Sequence, residues 1–449
     1  MEKTKNFTQG RILAPLIGFA LPILFALFLQ AMYGAVDLMI VGQYAQTADV
    51  SAVATGSQLM HSATAIIAGL AMGVTVLTGQ KIGEGNARQA GRVIGSGVCF
   101  FGAAALVITA VLVLLARPLS MLMQAPADAL SATTDYVRIC SAGMVFVIAF
   151  NVLGSIFRGI GDSKMPLITV AIACAVNIAG DLLLVAVFHM GAAGAALATV
   201  FAQAVSVVLS LLIISKKKLP FAFSRADLRM DRAVVAHILR IGTPMALQDL
   251  LVSISFLVLL AIVNSLGLIA SAGVGVAEKL CGFVMLIPSA YMQAMSAFVA
   301  QNIGAGKPKR ARRALAYGIA TSLLAGVIIG WLSFFHGDLL SGIFARDLQV
   351  IAASADYLKA YAIDCLLVSF LFCFIGYFSG MGRTVFVMLQ GLVGAFLVRI
   401  PVSFFVSRID GASLFAIGLA TPASTLVQIA LCGIYMHICL RREKVDKAL

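Results

Sequence analysis

Charge is scarce in this chain: Asp, Glu, Lys and Arg make up 11% of its 449 residues, while 61% are hydrophobic. A soluble domain of this length would present too little polar surface to stay dispersed. Histidine occurs five times, scattered and without ligand spacing, so no structural metal is indicated. The eight cysteines lie in apolar stretches or at their ends and form no CxxC, which argues against both a disulfide scaffold and a zinc site. No Walker lysine pattern and no soluble nucleotide domain is present, which excludes ATPase machinery. No His, Ser or Cys clusters with a base, which argues against an intramembrane acyl or glycosyl transferase. The chain reads as a non-enzyme without a cofactor.

What the chain has in quantity is long apolar runs. Twelve can be placed near 15–41, 51–77, 93–116, 136–157, 165–188, 192–214, 238–265, 270–300, 315–335, 356–378, 385–406 and 412–440. Each is long enough to cross about 30 Å of hydrocarbon at about 20 residues per helix. Helices satisfy their own backbone groups in lipid, so the expected class is an all-α integral membrane protein with twelve transmembrane helices. Frequent glycine suits close helix contacts and bends.

The formal net charge of +13 follows from topology and calls for no nucleic-acid partner. Assigning loops alternately to the two sides puts 25 of the 32 Lys and Arg on one side. They fall at the N-terminus, at Lys81, Arg88 and Arg92, at Arg158 and Lys164, in the 216–240 segment, in 307–313, at Arg383 and in the tail. Arg117, Arg138, Arg346, Lys359 and Arg408 fall on the other side, and Lys279 and Arg399 within spans. The positive-inside rule then places both termini in the cytoplasm, in a multi-pass protein of the cell (plasma or inner) membrane. The opening MEKTKNFTQG is too polar for a signal peptide, so the first span is expected to stay as an anchor.

The chain also repeats itself. Residues 80–90 read QKIGEGNARQA, and 221 residues later 301–311 read QNIGAGKPKRA. The same offset aligns Asp135-Tyr136 with Asp356-Tyr357, and Gly159 and Gly161 with Gly380 and Gly382; an offset of 222 aligns Pro22 with Pro244. Six spans per copy is an even number, so the repeat is parallel, about an axis along the membrane normal. This divides the chain into an N-lobe (1–214), a cytoplasmic linker (215–237) and a C-lobe (238–449), with a substrate path expected between lobes. The linker, with Lys216-Lys217-Lys218, reads as a partly helical surface segment against anionic headgroups. Glycine in each QxIGxG segment allows a tight turn that closes the span, a reading preferred to a phosphate cradle. Pro22 and Pro244 would each bend the first span of a lobe, as a moving part or as a permanent kink. Most Met and Phe read as lipid-facing or packing residues, some of which would line a pliable cavity.

Five acids lie inside apolar stretches: Asp37, Asp181, Asp249, Glu278 and Asp364. An Asp at a helix centre costs about 2.5–3.5 kcal/mol on insertion scales, so it persists where it meets a cavity, a partner or an ion. Asn177 precedes Asp181 by four residues and Tyr33 precedes Asp37 by four, each pair sharing a helix face. If the first and fifth spans pack together, a phenol, an amide and two carboxylates converge. Two close carboxylates cannot both keep their charge cheaply, which points to a proton or Na⁺ site. In the second half Asp364 could pair with Lys279 or Arg399, whereas Asp249 has no evident partner and is the candidate cavity-facing charge. Glu278, beside Lys279, could instead be interfacial. The acidic pair is not duplicated: Asp37 aligns with Leu259, and Asp181 with Val402 or a neighbour.

FALPILFALFLQAMYGAVDLMIVGQ at 19–43, the paired QxIGxG segments and FRGIGDSKMP at 157–166 resemble the multidrug and toxic compound extrusion (MATE) family, in its DinF-like and MepA-like branch. The resemblance runs from about residue 8 to residue 440. It implies a V of two six-helix lobes, of the MATE/MOP type, that alternates access and antiports organic cations or amphipathic drugs against H⁺ or Na⁺. It also implies an N-lobe ion network, which maps onto Gln30, Tyr33, Asp37, Asn151, Asn177, Asp181 and Thr199, with Na⁺ possible among Asp37, Asn177, Asp181 and Thr199. A second pattern, of the NorM-like branch, puts a cation in the C-lobe. Asp249, Asp364, Tyr361, Arg399 and Lys279 are the candidates there, although Gln248 stands where one acid is expected. On this reading the protein is a monomer that expels small molecules across the lipid bilayer, with Asp37 as the principal coupling acid. The alternative is a flippase of the same superfamily for lipid-linked oligosaccharide or peptidoglycan precursors, in which Lys279 and Arg399 would serve an anionic headgroup.

Overall fold

The computed structural model describes residues 7–216, 223 and 225–445, and the regular structure among them is helical throughout. Lys3, Lys5, Lys217, Lys218 and Lys447 lie outside the described residues. Among those described, 11 helices are long and apolar enough to cross a membrane, or up to 12 if one bent pair is a single span. This is the expected all-α membrane architecture. The main helices are α1 (Leu13–Tyr44), α2 (Thr47–Gly83), α3 (Ala87–Leu114), α4 (Leu130–Ala142), α5 (Met144–Ile160), α6 (Lys164–Asp181) and α7 (Gly191–Lys216). They continue with α8 (Arg232–Asn264), α9 (Leu268–Val284), α10 (Leu286–Gly304), α11 (Pro308–Phe335), α12 (Leu348–Gly380), α13 (Thr384–Leu392) and α14 (Ala420–Val445).

Three spans differ from smooth helices. The fourth, expected over 136–157, is bent by 50° where α4 meets α5. Gly143 sits at that bend against Val200, where any Cβ would collide. The fifth and eleventh contain π-helical turns, Leu182–Val187 following α6 and Val393–Arg399 following α13. Such turns cluster at functional sites, and here one begins directly after Asp181 and the other ends on Arg399. Pro22 and Pro244 both lie inside unbroken helices, α1 and α8.

The chain packs as two compact units, Met1–Ala246 with Ala300–Lys307, and Leu247–Val299 with Pro308–Leu449. In lipid, helices gain little from hydrophobic transfer and associate by close packing, which small residues permit. The first unit is built around α2, whose residues 71–79 are all buried. Val74 and Leu77 pack there with Ile94, Phe101, Ile148 and Ile156. Gly73 of α2 abuts the Ile238 carbonyl of α8, and Gly242 of α8 abuts the Leu70 carbonyl.

The repeated QxIGxG segments meet in this same unit. Gly83 lies against the Gln301 carbonyl and Gly304 against the Gln80 carbonyl, so each copy fills the other's missing side chain. The second glycines, Gly85 (φ +73°) and Gly306 (φ +67°), hold the left-handed turns that end α2 and α10. The turn reading is correct for those two, and the close approach at Gly83 and Gly304 adds to it. Gln301 Nε2 donates to the Gly159 carbonyl at 2.9 Å, and Asn302 Nδ2 to the Phe7 carbonyl at 3.2 Å. The second unit is organised by α12, against which Gly326 and Gly330 of α11 bring backbone close to Cys365 and Ala362.

Candidate functional site

The site in the first unit is assembled by α1, α6 and α7, which pack on one another. Gly180 of α6 would place a Cβ 2.9 Å from that of Ala198, and its absence lets α6 and α7 approach at the level of Asn177, Asp181 and Thr199. Asp37, Asn177 and Asp181 are buried, with 5%, 1% and 0% of their surface exposed. The Asn177 amide donates to Asp37 Oδ1 at 3.3 Å and to Thr199 Oγ1 at 3.3 Å. The Thr199 hydroxyl donates to Asp37 Oδ2 at 3.4 Å. Asp37 therefore has a donor on each oxygen.

Asp181 does not. Its carboxyl lies against that of Asp37, yet both its oxygens are buried without a hydrogen-bond partner, as is Asn177 Oδ1. A buried carboxylate with no donor is costly, and a proton or a small hard cation satisfies it. The surrounding atoms suit either. Carboxylate, amide and hydroxyl oxygens are hard donors, and a proton on one carboxyl could be donated to the other.

Tyr33, one turn before Asp37 on α1, interacts with Asp37 and with Gln203. Gln203 escaped the sequence reading, although it lies four residues after Thr199 and so shares its face of α7. Its Oε1 is buried and unpaired. Two expected members stand apart. Asn151 donates to its own helix, at the Val147 carbonyl 2.9 Å away. Gln30 is partly buried on α1 and has no hydrogen bond to the pair.

The five candidates of the second half also separate. Asp249 on α8 is exposed and has no ion pair among the described residues. Lys279 on α9 is exposed too. Asp364 and Tyr361 on α12 and Arg399 are buried; the Arg399 charge bears on Asp364, but the two form no ion pair, and Asp364 Oδ1 and Arg399 Nε have no hydrogen-bond partner among the described residues. Tyr361 packs beside Tyr357, with ring centroids 5.4 Å apart. Among the described residues no three His, Cys, Asp or Glu side chains form a metal-holding group.

Comparison with known proteins gives a consistent result. The family model described as MatE matches residues 22–183 and again 244–405, reproducing the internal repeat. The chain is 25% identical over 446 residues to the probable multidrug resistance protein YpnP of Bacillus subtilis, covering 99% of each chain. It is 24% identical to the multidrug export protein MepA of Staphylococcus saprophyticus, covering 100% of this chain and 98% of that one. A MOP superfamily transporter from Pyrococcus furiosus has the same fold, with a TM-score of 0.92 at 17% identity over 99% of both chains. The two matched segments together span well over half the sequence, and the chain belongs to the MatE family of multi-pass membrane transporters.

Proposed function

We propose that the protein is a secondary active multidrug efflux transporter that antiports organic cations or amphipathic drugs against H⁺ or Na⁺, with the ion held between Asp37 and Asp181. The observation that carries this reading is the Asp181 carboxyl, buried beside a second acid with no donor to either oxygen. Binding of a proton or Na⁺ discharges the pair, and transport follows if ion and drug favour different states of the protein. The names of YpnP and MepA, relatives over nearly their whole length, support the drug substrates. The distribution of Lys and Arg supports cytoplasmic termini in a cell membrane protein, and the repeat supports two six-helix lobes, 1–214 and 238–449, joined by the 215–237 linker.

The test is the full chain in proteoliposomes, with pH and Na⁺ gradients imposed separately against a panel of fluorescent organic cations. Uphill drug movement under one of the two gradients is expected. Movement that ignores both gradients, or transfer of a lipid-linked precursor with no drug transport, would overturn the reading.

A further inference from the structure

Two short helices take no part in the ion site, and each carries an exposed apolar face. Ala116–Leu122 follows α3 and Gly337–Gly342 follows α11. They stand 221 residues apart, as the repeated segments do, and one falls in each unit. At seven and six residues, about 10 Å long, neither can cross a bilayer.

Toward the protein each helix is small and polar. Ala116 and Ser120 are buried in the first, and their counterparts Gly337 and Ser341 in the second. Ser120 Oγ donates to the Ala116 carbonyl at 2.8 Å, and Ser341 Oγ to Ser354 Oγ of α12 at 2.8 Å. The large apolar residues lie on the other side. Leu122 and Ile343, again counterparts, have 77% and 71% of their surface exposed, with Met123 and Phe344 exposed beside them. A polar face held inward and an apolar face turned outward is the reverse of what water selects.

The length of the preceding spans fixes what those outward faces meet. Near its start α3 carries Arg88 and Arg92, and α11 carries Lys309, Arg310, Arg312 and Arg313, charges that mark headgroup level. From there, residues 93–114 and 314–335 each run for 22 positions without a charge. At about 1.5 Å per residue both cover about 33 Å, close to the hydrocarbon thickness of about 30 Å. The short helices therefore begin at the opposite headgroup boundary. The exposed apolar surface is continuous up to them. Val107, Val111 and Leu114 on α3, and Leu324, Ile328, Trp331 and Phe335 on α11, are exposed at helical spacing, as on a lipid-facing side. Trp331 lies in the last turns of α11, at the level where an indole is favoured.

We propose that Ala116–Leu122 and Gly337–Gly342 are interfacial anchors, each lying in the phospholipid headgroup boundary opposite the basic ends, with its apolar face among the first acyl carbons. Arg117 and Asp338, exposed at equivalent positions, stay at headgroup level. Such a helix resists displacement of its unit along the membrane normal. Moving it one way strips lipid from the apolar face, and moving it the other way drags a charge into hydrocarbon.

The test uses the full chain in phosphatidylcholine vesicles whose acyl chains carry bromine, a quencher of indole, either near the headgroup or near the chain ends. The chain has one tryptophan, so Trp331→Phe gives a dark background. Leu122→Trp and Ile343→Trp are each added to it. Both should lose more fluorescence to the shallow bromine than to the deep one, and acrylamide in the water should quench them weakly. Should either variant fail to fold, Met121→Trp or Phe344→Trp, also at exposed positions, replaces it. Strong quenching by acrylamide with no loss to either lipid would place the helices in water and overturn the proposal. Greater loss to the deep bromine would place them in the hydrocarbon core and overturn it as well. Loss to none of these quenchers would mean that a second copy or another protein surface covers the face, which contradicts a lipid anchor.

Discussion

Asn177 Nδ2 lies 3.3 Å from Asp37 Oδ1, a bond between residues 140 apart in sequence. That amide settles which of the two acids is supplied with donors. Its two hydrogens go to Asp37 and Thr199, leaving Asp181, one turn further along the same helix, with none. The asymmetry separates a carboxylate held in place from a neighbour that needs a proton or a cation.

Thr199 supplies the second donor to Asp37 through its hydroxyl, at 3.4 Å. Thr199→Val keeps the shape and removes that bond. A lost hydrogen bond of this kind is worth about 1 kcal/mol, or roughly fivefold in affinity. The ion concentration for half-maximal efflux should rise by about that factor, while Thr199→Ser should stay near wild type. An unchanged ion dependence in Thr199→Val would remove Thr199 from the site.

Gly83 and Gly304 are predicted to tolerate no side chain. A Cβ at either position runs into the backbone carbonyl of the opposite copy, Gln301 or Gln80, and backbone cannot rotate away as a side-chain tip can. Gly83→Ala and Gly304→Ala should each cost about 1–3 kcal/mol, the range for overpacked positions. Gly102 has nothing within 4 Å of its would-be Cβ, so Gly102→Ala should be harmless. Thermal unfolding of the full chain in detergent reads all three, and equal midpoints would contradict the reciprocal contact.

Much of this was legible in the sequence, for physical reasons. Polar residues are rare in the spans, so Asp37, Asn177 and Asp181 stood out individually, and helical spacing put the last two on one face. Thr199 came through the family resemblance. What the sequence could not show was how donors are shared. Asn151 has the same side chain as Asn177 but spends it on the Val147 carbonyl of its own helix. Lys279 and Arg399 looked equivalent as partners for Asp364, yet orientation on the helix sends one out and the other in. The 50° bend at Gly143 and the two π turns were missed as well. Glycine is common throughout, and a one-residue change in hydrogen-bond register leaves no mark on hydropathy.

The measurement closest to the central claim is gradient-driven drug efflux in proteoliposomes by Asp37→Asn and Asp181→Asn, beside wild type. Asparagine keeps the size of each side chain and removes its charge. Both variants should insert and unfold at midpoints near wild type, while uphill efflux falls to the leak of empty vesicles. Normal uphill efflux by either variant, under the same imposed ion gradient, would contradict an ion site shared by these two acids.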